Sequence, residues 1–441
     1  MTRPPEAAWV ALLAACSAEP VVVGGGNPTP VIDDSGDSGA PGDSGAGLDS
    51  ADSGDSAVEP LVSEEGVGDY TADNEWIFDD TVIHRIDIQL SDDSFYLLRT
   101  LPYDWAPADV SIDGVPAPDV GVRLRGKIGS FRTVDNKPKW KIDFNQYREG
   151  RDFYGLEHLS LNNAIVDCSY LKEKLGYAVV GMAGLPTLRT AYADLYVNGV
   201  DYGLYLILET PDKRWLERNY PDPDGNLYDG KYLYDYTTGS YTLLDFTDSV
   251  DEYFQLEEGT DVGNADIFAI TAANTAATGS GQYEALTAPL IDWDNLHAHL
   301  AVEQWIGHND GYALNTNNYR VYFDPTDGLM RLNIWDLDYA FLEDSWWGMS
   351  WAAPRGVLAS GCWNDMECKA NQRLAVEALV NRLDPTLIDS ELDRWDALTY
   401  DRAYNDPRRE CSVDNVAYYR QLLQDWVPAR GAYMKSAWGL P

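Results

Sequence analysis

Residues 307–341, from Gly307 to Phe341, read GHNDGYALNTNNYRVYFDPTDGLMRLNIWDLDYAF. Tyr319-Arg320-Val321-Tyr322-Phe323 alternates polar and apolar residues, as a half-buried strand does. Asp324-Pro325-Thr326-Asp327-Gly328 is a turn, and Met330 to Trp335 forms a returning strand. Asp310 follows a helix-like run, Asn317 and Asn318 precede the first strand, and Asp336 and Asp338 follow the second. Each of these residues alone fits an Asx turn or a helix cap. Together, and in this order, they are the groups that phosphoryl transfer requires. One carboxylate orients a hydroxyl, and an Asn and a second Asp hold the cation that neutralises phosphates.

A second stretch carries complementary charge. Val120 to Phe144 reads VGVRLRGKIGSFRTVDNKPKWKIDF. A strand, Val120 to Leu124, runs into Gly126-Lys127-Ile128-Gly129-Ser130, and Lys139 to Phe144 returns. Backbone N–H groups of such a loop can cover phosphates. An ordinary hairpin needs the same glycines. The cluster Lys137, Lys139 and Lys141 is unusual in so acidic a chain, and Lys139 and Lys141 share one face of a strand.

These segments resemble the CotH family of atypical protein kinases. The resemblance lies in Arg123-Leu124-Arg125-Gly126, Lys141-Ile142-Asp143-Phe144, Tyr196-Val197-Asn198-Gly199 with Gly203-Leu204-Tyr205 and Glu209, and Trp335-Asp336-Leu337-Asp338. Gly225-Asn226-Leu227-Tyr228 is similar to the family's Asn-Leu-Tyr-Lys, with Asp229 in place of the Lys. The resemblance implies an α+β, two-lobe kinase-like fold, with an N-lobe over about 76–209 and a C-lobe over about 210–441. It implies ATP and Mg²⁺ or Mn²⁺ as cofactors, and transfer of the γ-phosphate to Ser, Thr or Tyr of a surface or secreted protein. Asp310 is the expected catalytic carboxylate. Asn318, Asp336 and Asp338 are the expected metal ligands; Asn315 fits a shorter spacing, and Asp336 and Asp338 alternate on an extended chain. Gly126, Gly129 and Ser130 form the expected phosphate loop, with Lys141 on the α/β-phosphates and Lys139 second. Glu173, on a helix from Tyr170 to Met182 capped by Asp167 or Ser169, is the candidate partner of that Lys. Glu209 falls where backbone hydrogen bonds to adenine are expected.

The remainder of the chain sets the context. The 441 residues carry a formal charge of −40, which argues against nucleic acid and against contact with anionic lipid headgroups. Arg3, the apolar run Ala7 to Ala15, and Leu13-Ala14-Ala15-Cys16 resemble a bacterial lipoprotein signal, with Cys16 lipidated. No other run approaches the ~20 apolar residues of a membrane span. Residues 17–70 are rich in Asp, Ser and Gly and read as a disordered tether, leaving 71–441 as the kinase-like domain. The expected setting is extracytoplasmic, at an outer membrane or cell surface, with a monomer held only by its lipid. In an oxidising compartment the four other cysteines pair, Cys362 with Cys368 and then Cys168 with Cys411. The histidines do not group with them in sequence, so zinc is not expected. Scarce ATP outside the cytoplasm favours a second possibility, a catalytically silent surface protein on the same scaffold. Helices over Lys369–Arg382, Pro385–Tyr400 and Val413–Met434 are expected to complete the larger lobe, and Trp346, Trp347 and Trp351 suggest an aromatic wall or core.

Overall fold

Alternation of buried and exposed side chains builds the first half of the chain into strands that close on themselves. The computed structural model describes residues 73–127, 129–235, 238, 240–343 and 348–441. The proposed Cys16 anchor, the 17–70 tether, Ile128, Trp346 and Trp347 lie outside the described residues.

Strands β1 (Ile83–Leu90), β2 (Ala106–Ile112), β3 (Val115–Arg125), β4 (Lys139–Asp143), β5 (His158–Asn162), β6 (Thr190–Val197) and β7 (Val200–Glu209) form a closed barrel in the order β1-β2-β3-β4-β5-β7-β6. The parallel pairing of β1 with β6 closes it. Ile86, Ile88, Leu124, Trp140, Ile142, Leu159 and Ile207 fill its interior. Helix α1 (Asp92–Thr100) is capped by the Ser91 side chain, which accepts from the Ser94 amide. The strand expected from Val120 to Leu124 begins at Val115, because Asp113 and Gly114 make the turn from β2.

The second lobe is mostly helical. Helix α2 (Lys172–Ala183) leaves the barrel between β5 and β6, two residues later than expected. It packs into the core shared by both lobes through Leu175, Val179 and Val180. Helix α3 (Lys213–Asn219) leads to a four-stranded antiparallel sheet. Its strands are β8 (Asn226–Gly230), β11 (Gln255–Glu258), β12 (Tyr319–Asp324) and β13 (Leu329–Ile334), in the order β11-β8-β12-β13. Strands β9 (Leu233–Asp235) and β10 (Ser240–Thr242) pair separately. Helices α4 (Ala265–Ala277), α5 (Tyr283–Thr287), α6 (Trp293–Trp305), α7 (Tyr312–Asn315), α8 (Val357–Asn364), α9 (Met366–Arg382), α10 (Pro385–Tyr404) and α11 (Val413–Trp438) complete the lobe. Trp351 is buried in the core around this sheet. Among the described residues, no helix is long and apolar enough to cross a membrane.

Both expected disulfides are present, Cys168–Cys411 and Cys362–Cys368. In space His297 does lie with Cys362 and Cys368, its ring within 4.8 Å of their sulfurs. Those sulfurs are bonded to each other, so the group is an imidazole beside a disulfide.

Candidate active site

A cleft between the lobes gathers Gly126, Ser130 and Lys139 from the barrel with Asp310, Asn318, Asp336 and Asp338 from the other lobe. Lys139 lies on β4, 4% exposed, with its Nζ 3.0 Å from Asp338 Oδ2 and 3.5 Å from Asp336 Oδ1. Burial works against its charge, but the neighbouring carboxylates outweigh burial and raise its pKa. Glu173, on α2, is buried, and both of its carboxylate oxygens accept from Asn162 Nδ2, each at 2.8 Å. Burial raises its pKa; Lys139 opposes that rise and Asp336 and Asp338 add to it.

Asp310 sits just before α7. Its carboxylate accepts hydrogen bonds from Asn315 (2.6 Å), Asn318 (2.9 Å) and Asn317 (3.3 Å). Burial pushes its pKa up to about 6, against the pull of these donors. The turn that places it is built on Glu303. That buried carboxylate accepts from the Tyr312 and Ala313 amides at 2.7 and 2.8 Å and pairs with His299 at 3.1 Å. Gly311 is required there, because a Cβ would lie 2.3 Å from the Glu303 carboxylate.

The hairpin β12–β13 sets the metal candidates side by side. Asn318 and Asp336 flank its open end, both with positive φ (52° and 47°). Asn and Asp tolerate that conformation better than other non-glycine residues. The Trp335 amide donates to the Asn318 carbonyl (3.2 Å), and the Asp336 amide to the Tyr177 hydroxyl on α2 (3.1 Å). The Asp336 side chain is 26% exposed to the cleft, whereas that of Asp338 is 7% exposed and engaged by Lys139. Burial and Asp336 raise the Asp338 pKa, which Lys139 opposes. Asn317 and Asn318 line the cleft; Asn315 only supports Asp310 from behind.

Three expectations meet a different geometry. Lys141 does not line the cleft; its charge acts on His158 and Asp143 further along β4. The barrel curves between the two lysines, so a shared strand face still leads to two different neighbourhoods. Glu209 also lies outside the cleft. Its amide donates to the Arg189 carbonyl (3.0 Å) and its carboxylate pairs with Arg189 and Arg218 at 2.8 and 2.5 Å. With β5 and β6 paired on either side of β7, the Glu209 backbone is engaged within the barrel. In the loop, the Ser130 and Phe131 amides donate to the Lys127 carbonyl at 3.2 and 2.9 Å, so they close a turn rather than face a ligand. Gly126 and Gly129 both have positive φ, and a Cβ on Gly129 would lie 3.2 Å from the Tyr339 hydroxyl.

The cleft also brings together residues to which the sequence assigned no role in the site. The guanidinium groups of Arg125 and Arg320 lie 5.5 and 5.1 Å from the ring centre of Trp335. Asp229 pairs with Lys231 (3.3 Å) and Arg320 (3.5 Å), and Lys127 lies 5.2 Å from the centre of the Tyr232 ring. The Asp229 departure was the visible signal for this cluster; Lys231 follows it closely in the chain, and Arg320 comes from β12, paired beside it.

A model of the CotH kinase protein family matches residues 122–434. No curated protein matches the chain. Among solved structures, the chain is similar to the Helicobacter pylori proinflammatory kinase CtkA, at 12% identity and TM-score 0.30, over 70% of this chain and 93% of that one. It is also similar to the HipA–HipB–operator DNA complex of the Shewanella oneidensis MR-1 toxin–antitoxin system, at 15% identity and TM-score 0.27, over 80% and 82%.

Proposed function

The chain belongs to the CotH kinase protein family, and we propose that it transfers the γ-phosphate of ATP to a hydroxyl of a surface or secreted protein. The observation that carries this reading is the Lys139 ammonium set against Asp338 and Asp336, beside an Asp310 held by three asparagines.

The donor set suits the cofactors. Asp336 and Asn318 offer side-chain oxygen donors of the kind a hard divalent cation prefers, with Asp338 behind them. Such a cation, when bound, neutralises charge on the phosphate oxygens. Lys139 is the residue we assign to the phosphates; Arg125, Lys127 and Ser130 close the barrel side of the same cleft. Asp310 orients the acceptor hydroxyl and takes its proton, and its asparagine donors keep the carboxylate from turning. Glu173 sets the field around Lys139 without a direct ion pair.

The proposed setting is extracytoplasmic, anchored through Cys16. The two disulfides support an oxidising compartment. A silent scaffold is the second reading. It is favoured by the loop amides already used within their own turn and by Asp229 where a lysine was expected.

The test is γ-phosphate transfer by the purified chain with ATP and Mg²⁺ or Mn²⁺, beside Asp310→Ala and Asp336→Ala. Transfer by wild type that is lost in both variants supports the kinase. Absence of transfer, together with absence of any nucleotide-induced thermal shift, would leave the scaffold.

A further inference from the structure

Between α10 and α11 the chain runs Asn405-Asp406-Pro407-Arg408-Arg409-Glu410-Cys411-Ser412. This segment grips the loop that follows β3. The Asp406 carboxylate accepts from Lys137 Nζ at 2.6 Å, with both side chains fully buried, and from the Leu204 amide at 2.9 Å. Arg408 donates to the Asp135 carbonyl at 2.6 Å and lies 3.5 Å over the Tyr202 ring. Glu410 takes both ends of the Arg132 guanidinium, at 2.5 Å each. Arg132 in turn donates to the carbonyls of Gly129 (3.1 Å) and Phe131 (2.7 Å). Cys411 is bonded to Cys168, which lies just before α2.

A buried ion pair such as Lys137–Asp406 is a weak source of net stability, because desolvation offsets most of the attraction. Its better-attested effect is to fix the register of two segments. Here the two segments lie about 270 residues apart in sequence, and one carries the cleft's glycine loop. The Arg132–Glu410 pair acts at the other end of that loop. Arg132 also donates to loop carbonyls, and Glu410 does not line the cleft.

We propose that Asp406 and Glu410 are positioning residues for nucleotide binding. They hold the Gly129–Lys137 segment, whose Ser130 lines the same cleft as Asp336 and Asp338, from a segment that the Cys168–Cys411 bond ties to the base of α2. The inference rests on the nucleotide reading of the cleft. Its distinguishing consequence is that a residue outside the cleft controls affinity for ATP without controlling the chemical step.

The test uses the full chain. Glu410→Gln and Arg132→Gln remove a pair whose side chains are 42% and 18% exposed, so neither variant leaves a deeply buried charge unpaired. Each is expected to raise the KM for ATP about fivefold, the scale of one bidentate charged pair, with kcat nearly unchanged. The reversed pair, Arg132→Glu with Glu410→Arg, is expected to recover most of that loss. Asp406→Asn leaves Lys137 buried beside a neutral group and is expected to lower the melting temperature, so it is read by thermal unfolding. Wild-type KM in both single variants would overturn the inference while leaving the kinase reading intact. So would loss of kcat in step with melting temperature, or failure of the reversed pair to recover affinity. Absence of any nucleotide binding by wild type would instead remove the reading on which the inference rests.

Discussion

Lys139 crosses from the barrel to the helical lobe and places its ammonium 3.0 Å from Asp338. One cation therefore answers carboxylates delivered by the Trp335–Asp338 segment and stands in the field of Glu173 from α2. Lys139→Met removes the group assigned to the phosphates. It is expected to lower phosphate transfer about a hundredfold or more, the scale of losing one preorganised charge donor. Lys141→Met, whose charge lies near His158, is expected to change the rate only a few-fold. Parallel transfer assays with circular dichroism melts check both. The reverse order of effects would return the phosphate role to Lys141.

The two candidate metal asparagines differ in the same way. Asn318 lines the cleft beside Asp336, whereas Asn315 is spent on Asp310 at 2.6 Å. Asn318→Ala is therefore expected to raise the Mn²⁺ concentration for half-maximal transfer about tenfold, on the scale of a lost metal-site contact. Asn315→Ala is expected to lower the rate while leaving the Mn²⁺ dependence as in wild type. A titration of metal at saturating ATP separates them, and an unchanged Mn²⁺ requirement in Asn318→Ala would exclude it as a ligand.

What could be read from the sequence was local. The hairpin β12–β13 follows from period-two alternation and a turn of Asp, Pro and Gly, and it came out over the expected residues. The disulfides followed from cysteine number and the oxidising compartment expected for the chain. The choice between Lys139 and Lys141 was not legible, because both occupy one strand face and only the barrel's placement against the second lobe separates them. Nor was the β1–β6 closure, which joins strands about a hundred residues apart without a local signal. Arg320 alternates with apolar neighbours and reads as a solvent-facing residue; it is instead buried against Asp229 and Trp335. Glu303 looks like an ordinary polar helix residue until the chain folds back and offers it two amides.

His158 carries a pH-dependent tie between barrel and helical lobe. Its ring lies 2.8 Å from Asp212, the cap of α3, and 3.7 Å from Asp143 on β4. Burial and Lys141 oppose its charge, but these two carboxylates hold its pKa up to about 9 against an ordinary 6.5. A raised folded-state value contributes stability that is fully present below 6.5 and is lost as pH rises towards 9. Its scale is on the order of 3 kcal/mol. Glu258, held up to about 7 by burial and by Asp212 and Glu157, loses stability in the same direction between 4.5 and 7. The difference between wild type and His158→Gln isolates the histidine. Denaturant melts are expected to show a gap at pH 6 that narrows by pH 9.5, and a gap constant across that range would contradict the assignment.

Gly176 lets α2 approach the segment that carries the metal candidates. A Cβ at this position would lie 2.6 Å from Leu337 Cδ1, and Leu337 is fully buried between Asp336 and Asp338. Leu337 is fully buried in the core shared by the lobes, so shifting its side chain must displace close-packed neighbours. Displacing Leu337 pushes on the segment that carries the two aspartates, whose Asp336 amide is held by the Tyr177 hydroxyl one residue along α2. Gly176→Ala gains helix propensity, yet overpacking is expected to outweigh that gain and cost about 1–3 kcal/mol. Transfer should fall by more than the fraction unfolded explains. Leu337→Ala in the same chain removes the clash and should restore part of the activity despite its own cavity. If Gly176→Ala transferred phosphate like wild type, α2 would not be what sets the position of Asp336.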